Sequence, residues 1–450
     1  MHKIFLGMLG IAMVLTCTAC GSQISTGSST PLAENTPSIP PDLIPATETA
    51  VLDSDNDGIP DMQDLCPAES APEGLAGCLP LKKIAVTQAM LNTYTEIYDL
   101  PADPSGRISV AGDRILLLTN YQAGQLSLYD LADGTLLRKL SIPDLQNDTP
   151  TLLPQEILLQ NYDQQRWRLV DINGNVLFSA DEELEMIIPS QNLLVSRAEG
   201  EIIFRELDHP QTILAQTPGY YVTRLPKEEA FLIITPGSSC VLSTYDPRAT
   251  GGTSVILGQD NPLCSQPPRF TADGQYLISN TATETNLYSL QDFQLSMQYA
   301  GIPMAVLSDA LLLLQDDALI YQPLDGSAPH TIYNLREELL KGMTVNPLET
   351  WAAIRIGSLQ QPVQFSIKII DLQNGRTIAV LQTDTLQFMN DIVLAWQFSG
   401  KQIQFLNGQT LQEIASLQAP AVQGLQIVLN GDYLLVTSSD LKLHVYRIQE

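Results

Sequence analysis

The chain has 450 residues, 44% of them hydrophobic, which is enough for one large core or for two domains. Its 50 acidic residues against 23 basic ones give a formal net charge of −27. This imbalance argues against nucleic acid or an anionic membrane surface as the main partner, because few cations are available to neutralise phosphates. It fits an exported surface with affinity for cations, or acidity that simply maintains solubility.

The N-terminus has the pattern of an export signal. His2 and Lys3 precede an apolar run, residues 4–15, that is too short to span a bilayer. Small residues follow, and residues 18–21 (TACG) resemble a bacterial lipobox. The resemblance implies that residues 1–19 are a signal peptide and that Cys20 carries a lipid, so that the membrane is contacted through this anchor alone. Plain secretion is the alternative, and no later stretch has the length and apolarity of a membrane span.

The rest of the chain divides by composition. Residues 20–50 are rich in Ser, Thr and Pro, and four prolines between positions 37 and 45 prevent a helix. We expect a disordered tether there. Residues 51–80 are acidic and bounded by cysteines, and residues 83–450 alternate short apolar strands with polar turns.

The third region repeats a strand that ends in a polar turn. Nine segments show it, at 126–137, 167–178, 202–214, 242–252, 287–295, 319–326, 367–381, 403–414 and 444–450, with poorer copies at 202–214, 319–326 and 444–450. A period of about 40 residues with several short strands per unit is typical of propeller blades. Single propellers rarely exceed eight blades, so the sequence predicts seven or eight, with one weak copy miscounted. A β-sandwich or stacked β-domains are the alternative.

Local signals favour the propeller. Asn-Gly or Asp-Gly pairs at 133–134, 173–174, 374–375 and 407–408 predict hairpin turns. Residues 270–277 (FTADGQYL) are similar to the blade signature of WD40-like and TolB-like propellers. The resemblance implies an all-β fold with a single β-propeller. The last repeat lacks one strand, which residues 83–87 or 93–98 would supply to close the ring and remove exposed edges.

Residues 53–66 (DSDNDGIPDMQDLC) have the spacing of a calcium loop. Aspartates fall at positions 1, 3, 5, 9 and 12, and Gly58 stands at position 6, where the chain must turn sharply. Calcium takes six to eight hard oxygen ligands, and five carboxylates this close repel one another without a cation. The predicted ligands are Asp53, Asp55, Asp57, the carbonyl of Ile59, Asp61 and Asp64.

This loop resembles one family closely. An EF-hand would need a helix before Asp53, where prolines stand, and a dockerin would carry a second copy. Residues 53–67 instead match the thrombospondin type 3 and OmpA-linker repeat, D-x-D-x-D-G-x-x-D-x-x-D-x-C-P, and Gly77-Cys78 resembles its usual close. The resemblance implies a calcium-binding unit over residues 51–80. We expect weak binding, with a dissociation constant on the order of 10⁻⁴–10⁻³ M.

Six cysteines are present. Cys17 would leave with the signal peptide and Cys20 would carry lipid. An even remainder in an exported chain predicts two disulfides, Cys66–Cys78 and Cys240–Cys264. For the second pair the alternative is two unrelated buried thiols. The first would add about 2–4 kcal/mol to a unit with almost no core.

Catalytic patterns are scarce. The four histidines are scattered, and the sequence has no Gly-x-Ser-x-Gly elbow and no phosphate loop. Paired carboxylates such as Asp316-Asp317 or Glu337-Glu338 would suit a glycosidase but are usually solvated turns. We therefore predict a monomeric, calcium-binding, lipid-anchored protein on the periplasmic or extracellular face of the cell envelope. Its propeller would be a non-catalytic binding or adhesion module for a protein or glycan. The alternatives are a propeller lyase, lactonase or glycosidase, and an envelope assembly scaffold.

Overall fold

The structure is a computed structural model. It describes residues 52–70, 77–103, 106–145, 147–154, 156–226, 229–237, 239–249, 254–257, 261–336, 338–358 and 365–449. The predicted signal peptide, Cys20 and the tether lie outside the described residues. No helix within those ranges is long and apolar enough to cross a membrane.

The described part of residues 83–450 is almost entirely antiparallel sheet, and 36 strands in these ranges form nine four-stranded sheets. Blade 1 contains β2 Ile108–Ala111, β3 Ile115–Asn120, β4 Gln125–Asp130 and β5 Leu136–Ser141. Blade 2 contains β6 Thr149–Leu152, β7 Glu156–Asn161, β8 Arg166–Asp171 and β9 Val176–Ala180. Blade 3 contains β10 Glu183–Ile188, β11 Leu193–Ala198, β12 Glu201–Glu206 and β13 Ile213–Pro218.

The middle blades repeat this order. Blade 4 contains β14 Tyr221–Arg224, β15 Phe231–Thr235, β16 Cys240–Tyr245 and β17 Ser254–Leu257. Blade 5 contains β18 Arg269–Phe270, β19 Tyr276–Asn280, β20 Glu284–Ser289 and β21 Leu295–Ala300. Blade 6 contains β22 Ile302–Val306, β23 Ala310–Gln315, β24 Ala318–Pro323 and β25 His330–Asn334.

The last three blades complete the ring. Blade 7 contains β26 Glu338–Val345, β27 Trp351–Ser358, β28 Phe365–Asp371 and β29 Thr377–Leu381. Blade 8 contains β30 Thr385–Met389, β31 Ile392–Trp396, β32 Gln402–Asn407 and β33 Glu413–Gln418. Blade 9 contains β34 Val422–Val428, β35 Tyr433–Ser438 and β36 Lys442–Arg447, with β1 Thr95–Pro101 as its fourth strand. Short 3₁₀ helices cover Gln88–Thr93, Pro189–Gln191, Pro262–Ser265 and Leu429–Gly431.

The ring closes through the pairing of β1 with β36, which runs antiparallel from Thr95 opposite Arg447 to Pro101 opposite Lys442. This confirms the predicted closure by the segment around residues 93–98, whereas residues 83–87 form no strand. Pairing the start of the ring with its end covers the edge of β36, so the closing blade has four strands like the others.

The prediction of seven or eight blades is wrong, because the described residues form nine. All nine repeats found in the sequence are real, and each holds the third strand of one blade. The three poor copies fall in blades 3, 6 and 9, whose third strands pair as fully as the others. Their turns differ for local reasons: Pro210 follows β12, Pro323 ends β24, and β36 needs no hairpin because its outer partner is β1.

The core lies between the blades. The second strand of a blade is buried along most of its length, as in β3. The outer strands, such as β13, mix exposed and partly buried residues. Side chains from adjacent sheets interdigitate into a succession of hydrophobic clusters around the ring. The first strands of neighbouring blades contact one another, as β2 does β6, so these strands line the central channel.

Strand direction divides the turns between two faces. On one face lie the turns that join first to second and third to fourth strands, such as residues 112–114 and 131–135 of blade 1. We call this the docking face. On the other, the open face, lie the turns that join second to third strands and the connections between blades, such as residues 121–124 and 142–148.

Candidate calcium site and ligand surface

The acidic loop is wrapped by bonds from its own backbone to its aspartates. The N–H groups of Asp57, Gly58 and Ile59 donate to Asp55 Oδ1 at 3.2 Å, Asp53 Oδ2 at 3.0 Å and Asp57 Oδ1 at 2.7 Å. Gly58 has a φ of +91°, a backbone conformation that residues other than glycine rarely adopt. The turn brings together one carboxylate oxygen each of Asp53, Asp55 and Asp57, all within 4.8 Å of one another.

Asp64 is the most unusual group of the loop. Its side chain is buried, with the residue 1% exposed, and Oδ1 accepts a hydrogen bond from the N–H of Cys66 at 2.7 Å. Oδ2 is buried and has no hydrogen-bond donor among the described residues, and the same holds for Asp53 Oδ1 and Asp55 Oδ2. Burial, with smaller contributions from Asp55 and Asp57, raises the pKa of Asp64. Buried carboxylate oxygens without donors are costly, and a cation would satisfy them.

The other two predicted ligands have different surroundings. Asp61 accepts from the N–H and the hydroxyl of Ser54, both at 2.7 Å, and so fastens the end of the loop to its beginning. Ile59 follows the turn glycine, and its side chain is buried. The loop thus brings Asp53, Asp55 and Asp57 together. The negative charges of Asp55, Asp57 and Asp61 add to the burial that raises the pKa of Asp64.

The predicted disulfide Cys66–Cys78 is confirmed and closes the unit beneath Asp64. Gly77 packs against that carboxylate so closely that a Cβ there would lie 1.8 Å from Asp64 Oδ1. Its φ of +81° also favours glycine. The second predicted disulfide, Cys240–Cys264, is confirmed as well and joins β16 to the 3₁₀ helix at residues 262–265.

The loop unit is seated on the docking face. Leu65, Cys66 and Cys78 belong to the hydrophobic cluster between blades 1 and 2. Arg138 of β5 donates to the backbone carbonyl of Asp64 at 3.0 Å and to Asn173 of blade 2 at 2.8 Å. One arginine therefore holds the acidic loop against two blades.

A second arginine holds the other end of the unit. Arg114, in the first turn of blade 1, binds both carboxylate oxygens of Glu69, at 2.5 and 2.9 Å. It also donates to Asp130 at 2.7 Å and to the carbonyl of Leu79 at 3.0 Å. Arg114 is the chief cause that lowers the pKa of Glu69. Sequence reasoning missed both arginines, because only the fold brings positions 114 and 138 next to residues 62–79.

The open face carries a polar hollow and a largely apolar groove on either side of one exposed tyrosine. Tyr162, 58% exposed, lies in the second turn of blade 2. It borders a hollow of about 320 Å³ lined by Arg107, Tyr121, Asn147 and Asp163. It also borders a groove of about 560 Å³ that runs along the channel wall between β6 and β10. We call the first hollow and Tyr162 the tyrosine surface.

The groove holds two carboxylates, Glu183 and Glu185, on either side of Leu184 in β10. Arg197 binds both, Glu183 through its terminal nitrogen and Glu185 through Nε at 2.8 Å, and lies over the ring of Tyr220. Burial raises the pKa of Glu185, and Arg197 opposes that effect. Because one guanidinium is shared by both acids, the groove favours binding over acid–base catalysis.

The glycosidase-like pairs considered from the sequence do not form a site among the described residues. Asp316 and Asp317 form an exposed turn between β23 and β24. Glu338 is bound to Lys368 at 2.7 Å, and Glu337 lies outside the described residues.

These features define a nine-bladed β-propeller, over the described residues, with an acidic loop unit seated on one face. No protein-family model and no curated protein sequence matches the chain. Solved structures with some similarity include the computationally designed Ika8 protein, at 14% identity over 78% of this chain and 99% of that one, with a TM-score of 0.41. Another is BamB from Moraxella catarrhalis, at 11% identity over 79% and 98%, with a TM-score of 0.39. A eukaryotic initiation factor follows at 13% identity over 79% and 88%, with a TM-score of 0.40. Likenesses this distant carry no argument about function, and the fold assignment rests on the strand pairing itself.

Proposed function

We propose that this protein is an exported, monomeric calcium-binding protein whose propeller binds a glycan without catalysis. The observation that carries the calcium part is the set of buried carboxylate oxygens in this loop. Asp64 Oδ2 has no donor among the described residues, and three more aspartates of the loop hold carboxylate oxygens within 4.8 Å of one another. Such a group of hard oxygens suits calcium, which tolerates irregular geometry, better than zinc, which prefers nitrogen and sulfur. Asp53, Asp55, Asp57 and Asp64 would hold the ion, and the carbonyl of Ile59 would add a backbone ligand.

The calcium acts as a brace. Asp64 offers its side chain to the ion and its carbonyl to Arg138, so the ion and blades 1 and 2 share one residue. The unit has little core of its own and depends on the disulfide, the ion and its seat on the ring. Extracellular calcium, at millimolar levels, matches the weak affinity expected of this loop type.

The cell envelope is the proposed location. Two disulfides support an oxidising compartment, and lipid on Cys20 would anchor the chain there through the tether. The loop unit sits on the docking face, so the open face lies on the opposite side of the ring from this unit.

The tyrosine surface is the proposed ligand site. An exposed aromatic ring stacks on the apolar face of a sugar, and Arg107, Asn147 and Asp163 supply donors and acceptors for its hydroxyl groups. The conformational cost is small because Tyr121 is fixed by a hydrogen bond from its hydroxyl to the carbonyl of Asp148 at 2.6 Å. Propellers present ligand surfaces at such loop clusters, although the fold alone specifies none.

Calorimetry with calcium tests the first part. We expect the purified protein to bind one calcium ion with a dissociation constant of about 10⁻⁴–10⁻³ M. Asp64→Asn should weaken binding at least tenfold, because the neutral amide removes a buried charge. Asp316→Asn, in an exposed turn, is the matched control and should bind as the parent does. A parent protein that takes up no calcium at about 10 mM would refute the brace.

A glycan array tests the second part. We expect retention of a defined set of glycans by the parent and at least tenfold weaker binding by Tyr162→Ala. Phe398, an aromatic residue beyond β31 that is 50% exposed, provides the control variant Phe398→Ala. Equal retention by both variants, or binding only of proteins, would reject the tyrosine surface as a glycan site.

A further inference from the structure

The seam that closes the ring contains a polar cluster that neither proposed site uses. His444 of β36 is 5% exposed, and its ring lies between β1 and β35. Nδ1 is 2.9 Å from Glu96 Oε1, and Nε2 is 3.0 Å from Ser438 Oγ. Asp99 stands opposite His444 in the register, and His444, Glu96 and Asp99 each have a ligand atom within 4.8 Å of the other two.

A bulge places both carboxylates on one side of β1. Glu96 and Asp99 are three residues apart and would point to opposite faces of a regular strand. The register shifts between Glu96 and Tyr98, so Ile97 is the extra residue. The bulge turns Glu96 toward the face that Asp99 and His444 share.

Ser438 determines which nitrogen of His444 carries hydrogen. Its hydroxyl donates to Asp440, whose carboxylate only accepts. Ser438 Oγ must therefore accept from His444 Nε2–H. In a neutral ring, Nδ1 then directs a lone pair at the Glu96 carboxylate, and two acceptors at 2.9 Å repel one another. Either a second proton on the ring or a metal ion at Nδ1 removes this repulsion.

The surrounding charge also favours a cation. The carboxylates of Glu96, Asp99 and Asp440 surround the ring, and Lys442, paired with Asp99, is the one cation among the described side chains that contact the cluster. Blade 2 has an arginine, which is always charged, at the corresponding position. Arg168 is the third residue of β8, as His444 is of β36, and it binds the buried carboxylate of Asp148.

We propose that His444 Nδ1, Glu96 and Asp99 form a second metal site, which takes a divalent transition ion of the zinc class. Imidazole with carboxylates is a donor set for zinc rather than calcium. Tetrahedral bonds of about 2.1 Å place ligand atoms about 3.4 Å apart, within reach of the exposed Glu96 and Asp99 side chains by small rotations. Ser438 accepts a hydrogen bond from Nε2–H of His444, which leaves Nδ1 as the nitrogen that binds the ion. The ion would tie the first strand of the ring to the last.

The test is zinc titration of purified, chelator-treated protein, followed by calorimetry and by thermal unfolding. We expect one strong equivalent and a rise in the unfolding midpoint of about 3 °C at saturating zinc. Cobalt in place of zinc should give absorption bands that report nitrogen and oxygen ligands in a low-coordinate geometry.

Variants distinguish this site from adventitious zinc. Glu96→Gln combined with Asp99→Asn keeps the shapes of the exposed side chains and should weaken zinc at least tenfold. His209→Asn removes an exposed histidine near Glu206 and should change nothing at the strong site. Asp55→Asn should abolish neither the zinc affinity nor the shift, so failure of the calcium proposal would leave this result intact. Equal zinc affinity in the double variant, or an unchanged midpoint in the parent, would overturn the site.

Discussion

The loop unit and the ring are stabilised in different ways, although they share the hydrophobic cluster between blades 1 and 2. The ring buries whole strands. The loop unit comprises residues 52–80, of which 71–76 lie outside the described residues. It buries few side chains, among them Leu65 and the Cys66–Cys78 disulfide. The unit compensates for its small apolar burial with a disulfide and with the ion pairs and hydrogen bonds of Arg114 and Arg138. If calcium binds as proposed, the ring can remain folded while the attached unit responds to the ion.

The largest effect should come from the core of the ring. Trp351 of blade 7 is 2% exposed, and its Nε1–H donates to the carbonyl of Gly408 in blade 8 at 2.7 Å. Trp351→Ala should cost about 3–5 kcal/mol in the free energy of unfolding, because it leaves a cavity and an unpaired carbonyl. Denaturant unfolding followed by circular dichroism measures this cost.

Trp351→Phe is the matched control. It keeps most of the volume and loses the bond, so its cost should be about 1–2 kcal/mol. A small effect of Trp351→Ala would mean that the ring does not depend on burial between blades 7 and 8.

The two disulfides should separate the regions. Cys66→Ser with Cys78→Ser should cost the loop unit about 2–4 kcal/mol and weaken calcium binding, while the unfolding of the ring changes little. All three tryptophans lie in ring strands, so their fluorescence follows the ring alone. Cys240→Ser with Cys264→Ser should shift that fluorescence transition and leave calcium affinity unchanged. The reverse pattern would contradict the division.

Gly77 should be the most sensitive single position of the loop unit. Gly77→Ala forces a Cβ into the Asp64 carboxylate and strains a left-handed backbone, at a cost of about 2–3 kcal/mol. Calcium calorimetry should show the loss, whereas Gly200→Ala, at a left-handed turn with open space around it, gives the backbone effect alone. Equal losses of calcium affinity in the two variants would mean that Asp64 does not need this contact.

The smallest effect is a pH dependence. Because Arg114 lowers the pKa of Glu69, the folded state holds this proton more weakly than the unfolded chain does. The stabilisation is therefore complete at neutral pH and is lost as the pH falls through the lowered value, by at most about 1 kcal/mol after solvent screening. Glu69→Gln should remove this acid-side loss of stability, measured by denaturation between about pH 3 and 7. If Glu69→Gln shows the same pH profile as the parent, the ion pair between Arg114 and Glu69 does not contribute to stability.

Much of this fold could be predicted from the sequence because each blade is a local unit. The strand-and-turn repeat marks the third strand of all nine blades, and the missing strand of the last repeat predicted the closure by β1. The blade number was wrong because a general expectation about ring size replaced the repeats actually present. The spacing of the aspartates likewise placed Asp53, Asp55 and Asp57 together.

Contacts between distant residues could not be predicted in this way. Arg114, Arg138 and Tyr162 carry no motif, and only strand direction brings the arginines to one face and the tyrosine to the other. The pairing of Glu96 with His444 spans nearly the whole ring and depends on a one-residue bulge. Sequence periodicity predicts the blades, but it does not predict which residues of different blades and turns contact one another.

Amide hydrogen exchange with and without calcium tests the central claim, that the ion braces the loop unit on blades 1 and 2. Calcium should slow exchange at Gly58, Ile59 and Cys66, whose N–H groups donate to the aspartates. It should also slow exchange in the first turn of blade 1 around Arg114, while the strands of blades 5 to 7 remain unchanged. Calcium that leaves the loop amides and the Arg114 turn unaltered, or that alters every blade equally, would contradict this account.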